Sequence, residues 1–300
     1  MAPSQAADMD VQAYLERIRY HQPLAPGVAP ATDAPPTGDP PSIDPPSTDL
    51  PSIDAPSIDV PSIDLLRSLH RAHLFTVPFE NLDIGLGRAI VCDETCILHK
   101  IVREHRGGFC YELNGAFAAL LRALGFRVTL LSARVAREDG SYGPEFDHLT
   151  LRVDLDRSWL ADVGFGECFL EPLRLESGME QSQDGRLYRL TLLNSEDGSL
   201  GLEAMVGGKW KAQYAFTLEA HQLSEFAGMC HYHQTSPESH FTRQRICSLA
   251  TPGGRVTLSD GKLIETRGGS RQQRPLALDK QWLLTLREQF GVILPAEADL

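Results

Sequence analysis

The hydrophobic period of this chain changes at Gly125, and that change constrains the fold more than any other feature. Upstream, apolar side chains recur every three or four residues; downstream they recur every second residue. Asp10 can cap a first helix whose Val11, Tyr14, Leu15 and Ile18 share a face. Asp64 can cap a second, with Leu65, Leu66, Leu69 and Ala72 inward. Glu94 to His105 predicts a third on Ile97, Ile101 and Val102. Cys110 to Leu124 predicts a fourth, with Leu113, Phe117, Leu120, Leu121 and Leu124 in register and Gly125 as its stop. Alternation then predicts strands over Arg127 to Val135, His148 to Leu155, Ser158 to Val163, Arg186 to Leu193, Leu202 to Val206 and Lys209 to Phe216. A mixed end follows, with strands near Arg245 to Leu249, Arg255 to Leu258 and Lys262 to Thr266, then a helix near Leu278 to Phe290 stopped by Gly291. This order predicts an α+β protein: a helical domain over 1–125, a β-barrel over 126–216 and an α/β lid over 217–300.

One stretch fits none of these periods. From Pro35 to Asp64 the chain repeats every five residues, as PPTGD, PPSID, PPSTD, LPSID, APSID and VPSID. Proline removes amide donors and fixes φ, and each unit has too few apolar side chains to offset the entropy of ordering. Residues 29–63 are therefore expected to be a disordered, partly polyproline II insert in a surface loop. Loop insertions cost little closure entropy, so a tolerated expansion outweighs a docking arm.

The chain carries 28 Lys and Arg against 40 Asp and Glu, a formal charge of −12. Between Arg19 and Arg67 there is no Lys or Arg, yet Asp33, Asp39, Asp44, Asp49, Asp54, Asp59 and Asp64 fall there. The balance argues against a nucleic-acid partner. No apolar run is long enough for a bilayer span, and the first ten residues show no export signal. The six cysteines are thus expected to be reduced thiols in a cytoplasmic protein.

Cys110 follows Arg106-Gly107-Gly108-Phe109 at the start of the fourth helix. A thiol attacks well only as thiolate, and a helix N-terminus and a neighbouring imidazolium both favour that anion. Gly107 and Gly108 would let a substrate carbonyl approach, with backbone amides to hold an oxyanion. His148 opens an alternating strand on the face opposite Leu149, Leu151 and Val153, so its ring is not evidently packed away. Asp162 ends the next strand, just before Gly164 and Gly166. Neighbouring strands can set Asp162 beside His148, where a carboxylate orients the imidazole. A lone cysteine in a helix is usually a small apolar residue, and a lone strand histidine is usually structural. The order Cys, His, Asp behind a glycine pair favours acyl transfer through a thioester.

Other constellations are weaker. Cys92, Cys96, His99 and His105 lack a second zinc-ligand pair, and a core helix explains that segment better. Cys168, Cys230 and Cys247 have no partner motif, and His231, His233 and His240 lack a metal-ligand period. No phosphate loop is present. No metal is expected.

With these motifs assembled, the chain resembles the arylamine N-acetyltransferases. The likeness is carried by Pro78-Phe79-Glu80-Asn81-Leu82, by Arg106 through Asn114, by His148, by Asp162-Val163-Gly164-Phe165-Gly166, and by Thr235-Ser236-Pro237 with Ser239 and Phe241. It covers nearly the whole chain except the repeat. The resemblance implies a helical domain carrying the catalytic cysteine, a barrel carrying histidine and aspartate, an α/β lid, and a cysteine-protease-like Cys-His-Asp core. It implies ping-pong transfer: Cys110 takes acetyl from acetyl-CoA, and an arylamine, arylhydrazine or arylhydroxylamine then attacks the thioester. His148 would be base and counter-ion, and Asp162 its orienter. Phe79, Tyr111 and Phe165 match positions lining the substrate pocket, and Phe165 and Gly166 match the loop near CoA. The expected partners are thus a small arylamine and acetyl-CoA, with no nucleic acid and no membrane; a homo-oligomer stays open. Rival readings are a macrolactam-forming amide synthase of the same family, a thiol hydrolase or transglutaminase-like enzyme using the same triad, and a binding protein with a structural cysteine.

Overall fold

The computed structural model describes residues 9–20, 60–277 and 280–294. Residues 29–59 of the expected insert lie outside the described residues. Its last residues are corrected: the second helix, α2 (Ile63–Thr76), already begins at Ile63, and Ser62 caps it by accepting from the Leu65 amide. Asp64 instead lies in the first turn, where its charge favours the helix dipole.

Helix α1 (Val11–Arg17) is capped by Asp10, whose Oδ1 accepts from the Ala13 amide at 2.9 Å. Tyr14, Leu15 and Ile18 are buried as the period demands, but so is Arg17. Its guanidinium donates to the carbonyls of Thr76, Ile101, His105 and Arg106. A basic residue on a polar face thus becomes a clamp on the segment before Cys110.

Strand β1 (Phe79–Glu80) and the short α3 (Leu82–Gly85) follow. The third expected helix is split: α4 (Glu94–Leu98) passes into a π-helical turn over His99–Arg103. The wider turn buries Lys100 together with Ile101 and Val102, where an unbroken 3.6-residue repeat was expected. Helix α5 (Cys110–Ala123) is buried almost throughout and ends at Gly125, whose φ of 85° a glycine adopts without strain.

After Gly125 the chain forms β2 (Arg127–Val135), β3 (His148–Asp154), β4 (Ser158–Ala161), β5 (Leu173–Arg174), β6 (Glu180–Gln183), β7 (Arg186–Leu192), β8 (Leu200–Val206) and β9 (Lys209–Phe216). These make one antiparallel sheet in the order β5-β4-β3-β2-β9-β8-β7-β6, nearly closed into a barrel. Its two edges meet through side chains that imitate peptide groups. Gln181 accepts from the Arg174 amide and donates to the Arg174 carbonyl. Gln183 accepts from the Leu170 and Glu171 amides and donates to the Glu171 carbonyl. Leu149, Leu151 and Val153 pack outward on the helical core with Leu113 and Phe117, while Leu131, Leu160, Leu190 and Tyr214 fill the interior.

Helices α6 (Ala227–Thr235) and α7 (His240–Arg243) lead to β10 (Ile246–Thr251), β11 (Gly254–Ser259), β12 (Lys262–Arg267) and β13 (Ser270–Pro275). Helix α8 (Lys280–Phe290) covers this sheet with Trp282, Leu286 and Phe290. Strand β13 was not expected, because its residues are all exposed and carry no apolar alternation. β1 pairs with β10 through Phe79↔Ser248 and Glu80↔Cys247, so the helical part supplies the edge strand of the last sheet.

Candidate active site

Cys110 is the first residue of α5, with Phe109 as the cap. Phe109 cannot cap with its own side chain, so Glu112 does so from within the helix, its Oε2 accepting from the Phe109 amide at 3.1 Å. Glu112 belongs to a buried charge network. Lys100 Nζ lies 2.6 Å from Glu112 Oε1 and 2.7 Å from Asp83 Oδ2. Arg106 bridges Glu80 and Asp83 at 2.8 and 2.9 Å. Burial pulls the Lys100 ammonium down, but the Glu112, Glu80 and Asp83 carboxylates outweigh it and hold its pKa up. The network fixes both ends of the 106–109 turn from below.

The glycine pair serves that packing. A Cβ on Gly107 would lie 1.9 Å from the Pro78 carbonyl oxygen, and one on Gly108 would strike the Glu112 side chain at 2.6 Å. The Gly108 amide faces the Pro78 carbonyl at 3.4 Å, and the Gly108 carbonyl accepts from the Glu80 amide. The expectation that these glycines admit a substrate carbonyl is therefore corrected: they admit β1 and Glu112.

β3 and β4 pair antiparallel through Leu151↔Ala161. Continuing that register sets Asp162 opposite Thr150, on the face that carries His148 and diagonal to it. His148 Nε2 and Asp162 Oδ2 are 2.7 Å apart and fully enclosed. That pairing uses Nε2 and leaves Nδ1 as the other ring nitrogen. The ring is not open to solvent as its strand pattern implied. It is 2% exposed, because this face of β3 is the barrel interior, where Phe165 and Tyr214 meet the ring at 5.1 and 5.2 Å. Asp162 is buried, which raises its pKa, yet His148, Asn114 and the Gly164 amide bring it below the usual carboxylate range.

Two further residues, absent from the sequence reading as site residues, hold Asp162. Asn114, one turn along α5 from Cys110, donates to Asp162 Oδ1 and to the Leu149 carbonyl, and accepts from the Val163 amide. His70 Nε2 accepts from the Asp162 amide at 3.1 Å, so its Nδ1 carries the proton and donates to the Leu170 carbonyl. Burial depresses His70 to about 4, keeping the ring neutral. The spacing of four from Cys110 marked Asn114; nothing local marked His70. Gly164 is required by contact, since a Cβ there would lie 2.8 Å from Cys110 Cα.

Cys110, His148, Phe79, Phe165 and Gly166 all line one cleft of about 800 Å³ between barrel, helices and last sheet. Tyr111 does not join them. It is wholly buried, and its hydroxyl donates to the Phe146 carbonyl at 2.7 Å. Burial pushes the Cys110 thiol well up, and the charges of Asp162 and Asp147 act the same way against the Leu149 amide. Burial thus opposes the anion that the helix end favours. Across the cleft, Arg255 donates to Ser248 Oγ at 3.0 Å and forms no ion pair among the described residues. Burial lowers its pKa to about 10, still a cation at neutral pH.

Residues 62–298 match the family model described as N-acetyltransferase. The chain is 35% identical over 231 residues to an arylamine N-acetyltransferase / N-hydroxyarylamine O-acetyltransferase of Salmonella typhimurium, covering 76% of this chain and 81% of that one. It belongs to the arylamine N-acetyltransferase family. A pineal gland isozyme of Gallus gallus in the same family is 33% identical over 255 residues, covering 76% of this chain and 87% of its own. The Salmonella typhimurium structure superposes with a TM-score of 0.78 at 30% identity, over 96% of this chain and 93% of that one. The Mycobacterium marinum arylamine N-acetyltransferase in complex with CoA gives 0.75 at 30% identity, over 94% and 93%. The chain is thus an acyltransferase of this family, with the family's mixed helical and barrel-like architecture.

Proposed function

We propose that this enzyme moves acetyl from acetyl-CoA to an arylamine, arylhydrazine or arylhydroxylamine by a ping-pong route through a thioester on Cys110. The observation that carries the reading is the buried 2.7 Å His148–Asp162 pair, whose histidine lines the same cleft as the cysteine at the head of α5. His148 takes the thiol proton, and Asp162 orients the ring and stabilises its charged form. The sulfur attacks the donor carbonyl, CoA leaves with a proton, and the acceptor nitrogen then displaces the sulfur. The CoA-bound Mycobacterium marinum relative supports acetyl-CoA as donor. The Arg255 cation, which lines the cleft and is bonded only to Ser248 Oγ among the described hydrogen bonds, suits a phosphate-rich donor. Phe79 and Phe165 offer aromatic faces to an aryl ring, and Gly166 leaves backbone open near the donor.

In this reading 1–125 presents the nucleophile, 126–216 the base and its orienter, and 217–300 the opposite wall, in the cytoplasm. Among the described residues no helix is long and apolar enough to cross a membrane. Mass spectrometry of the intact enzyme after mixing with acetyl-CoA is the test. An acetyl adduct on Cys110 that is discharged by an arylamine is expected. No adduct would favour an amide synthase using another donor, and rapid loss of the adduct to water would favour a hydrolase.

A further inference from the structure

A second imidazole–carboxylate pair stands in the same cleft. His233, on α6, is 5% exposed, and its Nε2 lies 3.2 Å from Asp147 Oδ1. Its Nδ1 is 3.4 Å from Ser239 Oγ. The Nε2–Oδ1 approach is close but off the line of a hydrogen bond, and this buried nitrogen has no hydrogen-bond partner among the described residues. Asp147 Oδ2 is occupied: it accepts from the Val135 amide at 3.3 Å and packs where a Cβ on Gly143 would be 2.2 Å away. Oδ1 is the oxygen turned to His233. Asp147, His233 and Ser239 line the cleft together with Cys110 and His148. Tyr111 Oη donates to the carbonyls of Phe146 and Asp147, tying the residue after the cysteine to the residue before the histidine.

As a mere latch between α6 and the barrel, this carboxylate would be poorly placed. Its charge pushes the Cys110 thiol up, an anion set near a sulfur that must itself become an anion. The repulsion disappears once Cys110 carries a neutral thioester. From that point a carboxylate is useful. The incoming nitrogen brings N–H donors, and it gains positive charge as its lone pair attacks, so an acceptor oxygen binds it more strongly in the transition state than before.

We propose that Asp147 Oδ1, with Oδ2 anchored on the Val135 amide and His233 set beside it, is the subsite for the acceptor nitrogen and takes primary arylamines and arylhydrazines through an N–H. The inference rests on the acyltransferase reading above. In the second half-reaction the nitrogen lone pair forms the N–C bond to the thioester carbonyl, and the C–S bond breaks with its electrons leaving on sulfur as thiolate. The surplus nitrogen proton passes to the neutral His148 imidazole, which regenerates the starting pair. Asp147 holds the nitrogen while its charge develops. His233 is a positioning residue.

The two half-reactions separate the possibilities. Full-length enzyme is acylated on Cys110 with p-nitrophenyl acetate, and discharge is then followed in single turnovers with ring-substituted anilines of graded basicity. In Asp147→Asn, discharge is expected to slow about 10- to 100-fold relative to acylation, the size of a charge-assisted hydrogen bond. The dependence of discharge on amine basicity steepens, because a nitrogen without its acceptor oxygen relies more on its own electrons. His233→Phe moves both quantities in the same direction by less, and His233→Gln, which keeps a polar side chain beside Oδ1, restores part of the loss. Equal slowing of both half-reactions, or an unchanged basicity slope in Asp147→Asn and His233→Phe alike, overturns the proposal. Failure of the unaltered enzyme to form any acyl-Cys110 would overturn the acyltransferase reading itself, a separate result visible before any amine is added.

Discussion

Asn114 joins the helix that carries the cysteine to the aspartate that serves the histidine: its side-chain nitrogen donates to Asp162 Oδ1 at 2.9 Å and to the Leu149 carbonyl at 2.6 Å. Its oxygen accepts from the Val163 amide at 2.9 Å. One amide thus fixes α5, β3 and the turn after β4 together. In Asn114→Ala these buried groups lose their partner, at about 1–3 kcal/mol, and Asp162 loses its orientation. A lower denaturant midpoint together with a fall in kcat of about 10-fold or more is expected, read by urea unfolding and steady-state kinetics. Asn114→Asp should be worse, since it sets a second carboxylate against Asp162.

Gly164→Ala should remove most activity, because the new Cβ would meet Cys110 Cα and Asn114 Nδ2 at 2.8 and 2.7 Å, and neither can move away. Gly140→Ala is the contrast. Its φ is 85° but nothing lies within 4 Å, so the cost is backbone strain alone, about 1–2 kcal/mol. Thermal unfolding and activity of the two variants should diverge: Gly140→Ala unfolds earlier with turnover kept, while Gly164→Ala loses turnover.

Lys100→Met should destabilise the protein by about 3–5 kcal/mol, the cost of leaving a buried carboxylate without its cation. Glu112 would be stranded while Asp83 keeps Arg106 at 2.9 Å, and Glu112 is the group that caps α5. Chemical denaturation gives the stability. Slower alkylation of Cys110 in the folded fraction would report the loosened cap.

Acid should weaken the fold through His70. In the unfolded chain this ring protonates near 6.5, while in the folded protein burial delays protonation to about 4. Between those values the unfolded state binds more protons, so stability rises with pH and is lost as pH falls through the window. The interval corresponds to about 3 kcal/mol at most. Urea unfolding between pH 7 and 4 should show a slope that His70→Gln reduces by about one proton.

The Cys110 thiol offers a direct check on the His148–Asp162 pair. Burial alone would hold it protonated, so alkylation would become fast only in alkali. With the imidazole as proton acceptor, alkylation by iodoacetamide should stay fast below pH 7. Asp162→Asn should abolish that acidic arm, and Cys110→Ala should abolish both it and transfer, leaving only slower labelling of exposed thiols such as Cys96.

Much of the architecture was legible because it is periodic. The faces of α1, α2 and α5 and most barrel strands follow from spacings of three, four and two, and Gly125 marks the switch between them. What escaped was structure without a period. β13 is polar throughout, β5 and β6 are short, and the barrel edges meet through Gln181 and Gln183. The cap of α2 fell on Ser62 because Ile63 is already helical.

The site divides in the same way. Its residue types are written in sequence, since a cysteine after a glycine pair, a strand histidine and an aspartate before glycines each carry a local signal. Their surroundings are not, because burial and pairing depend on contacts between distant segments. Only the fold decided that Gly107 and Gly108 make room for Pro78 and Glu112, and that Tyr111 faces the packing instead of the cleft. It likewise brought His70 under Asp162 and His233 against Asp147. A sequence specifies which groups are present and which face of an element each occupies. Which of them lose water together is set by how helix, barrel and sheet close on one another, and that shared desolvation is what turns ordinary side chains into an acid, a base or an anchor.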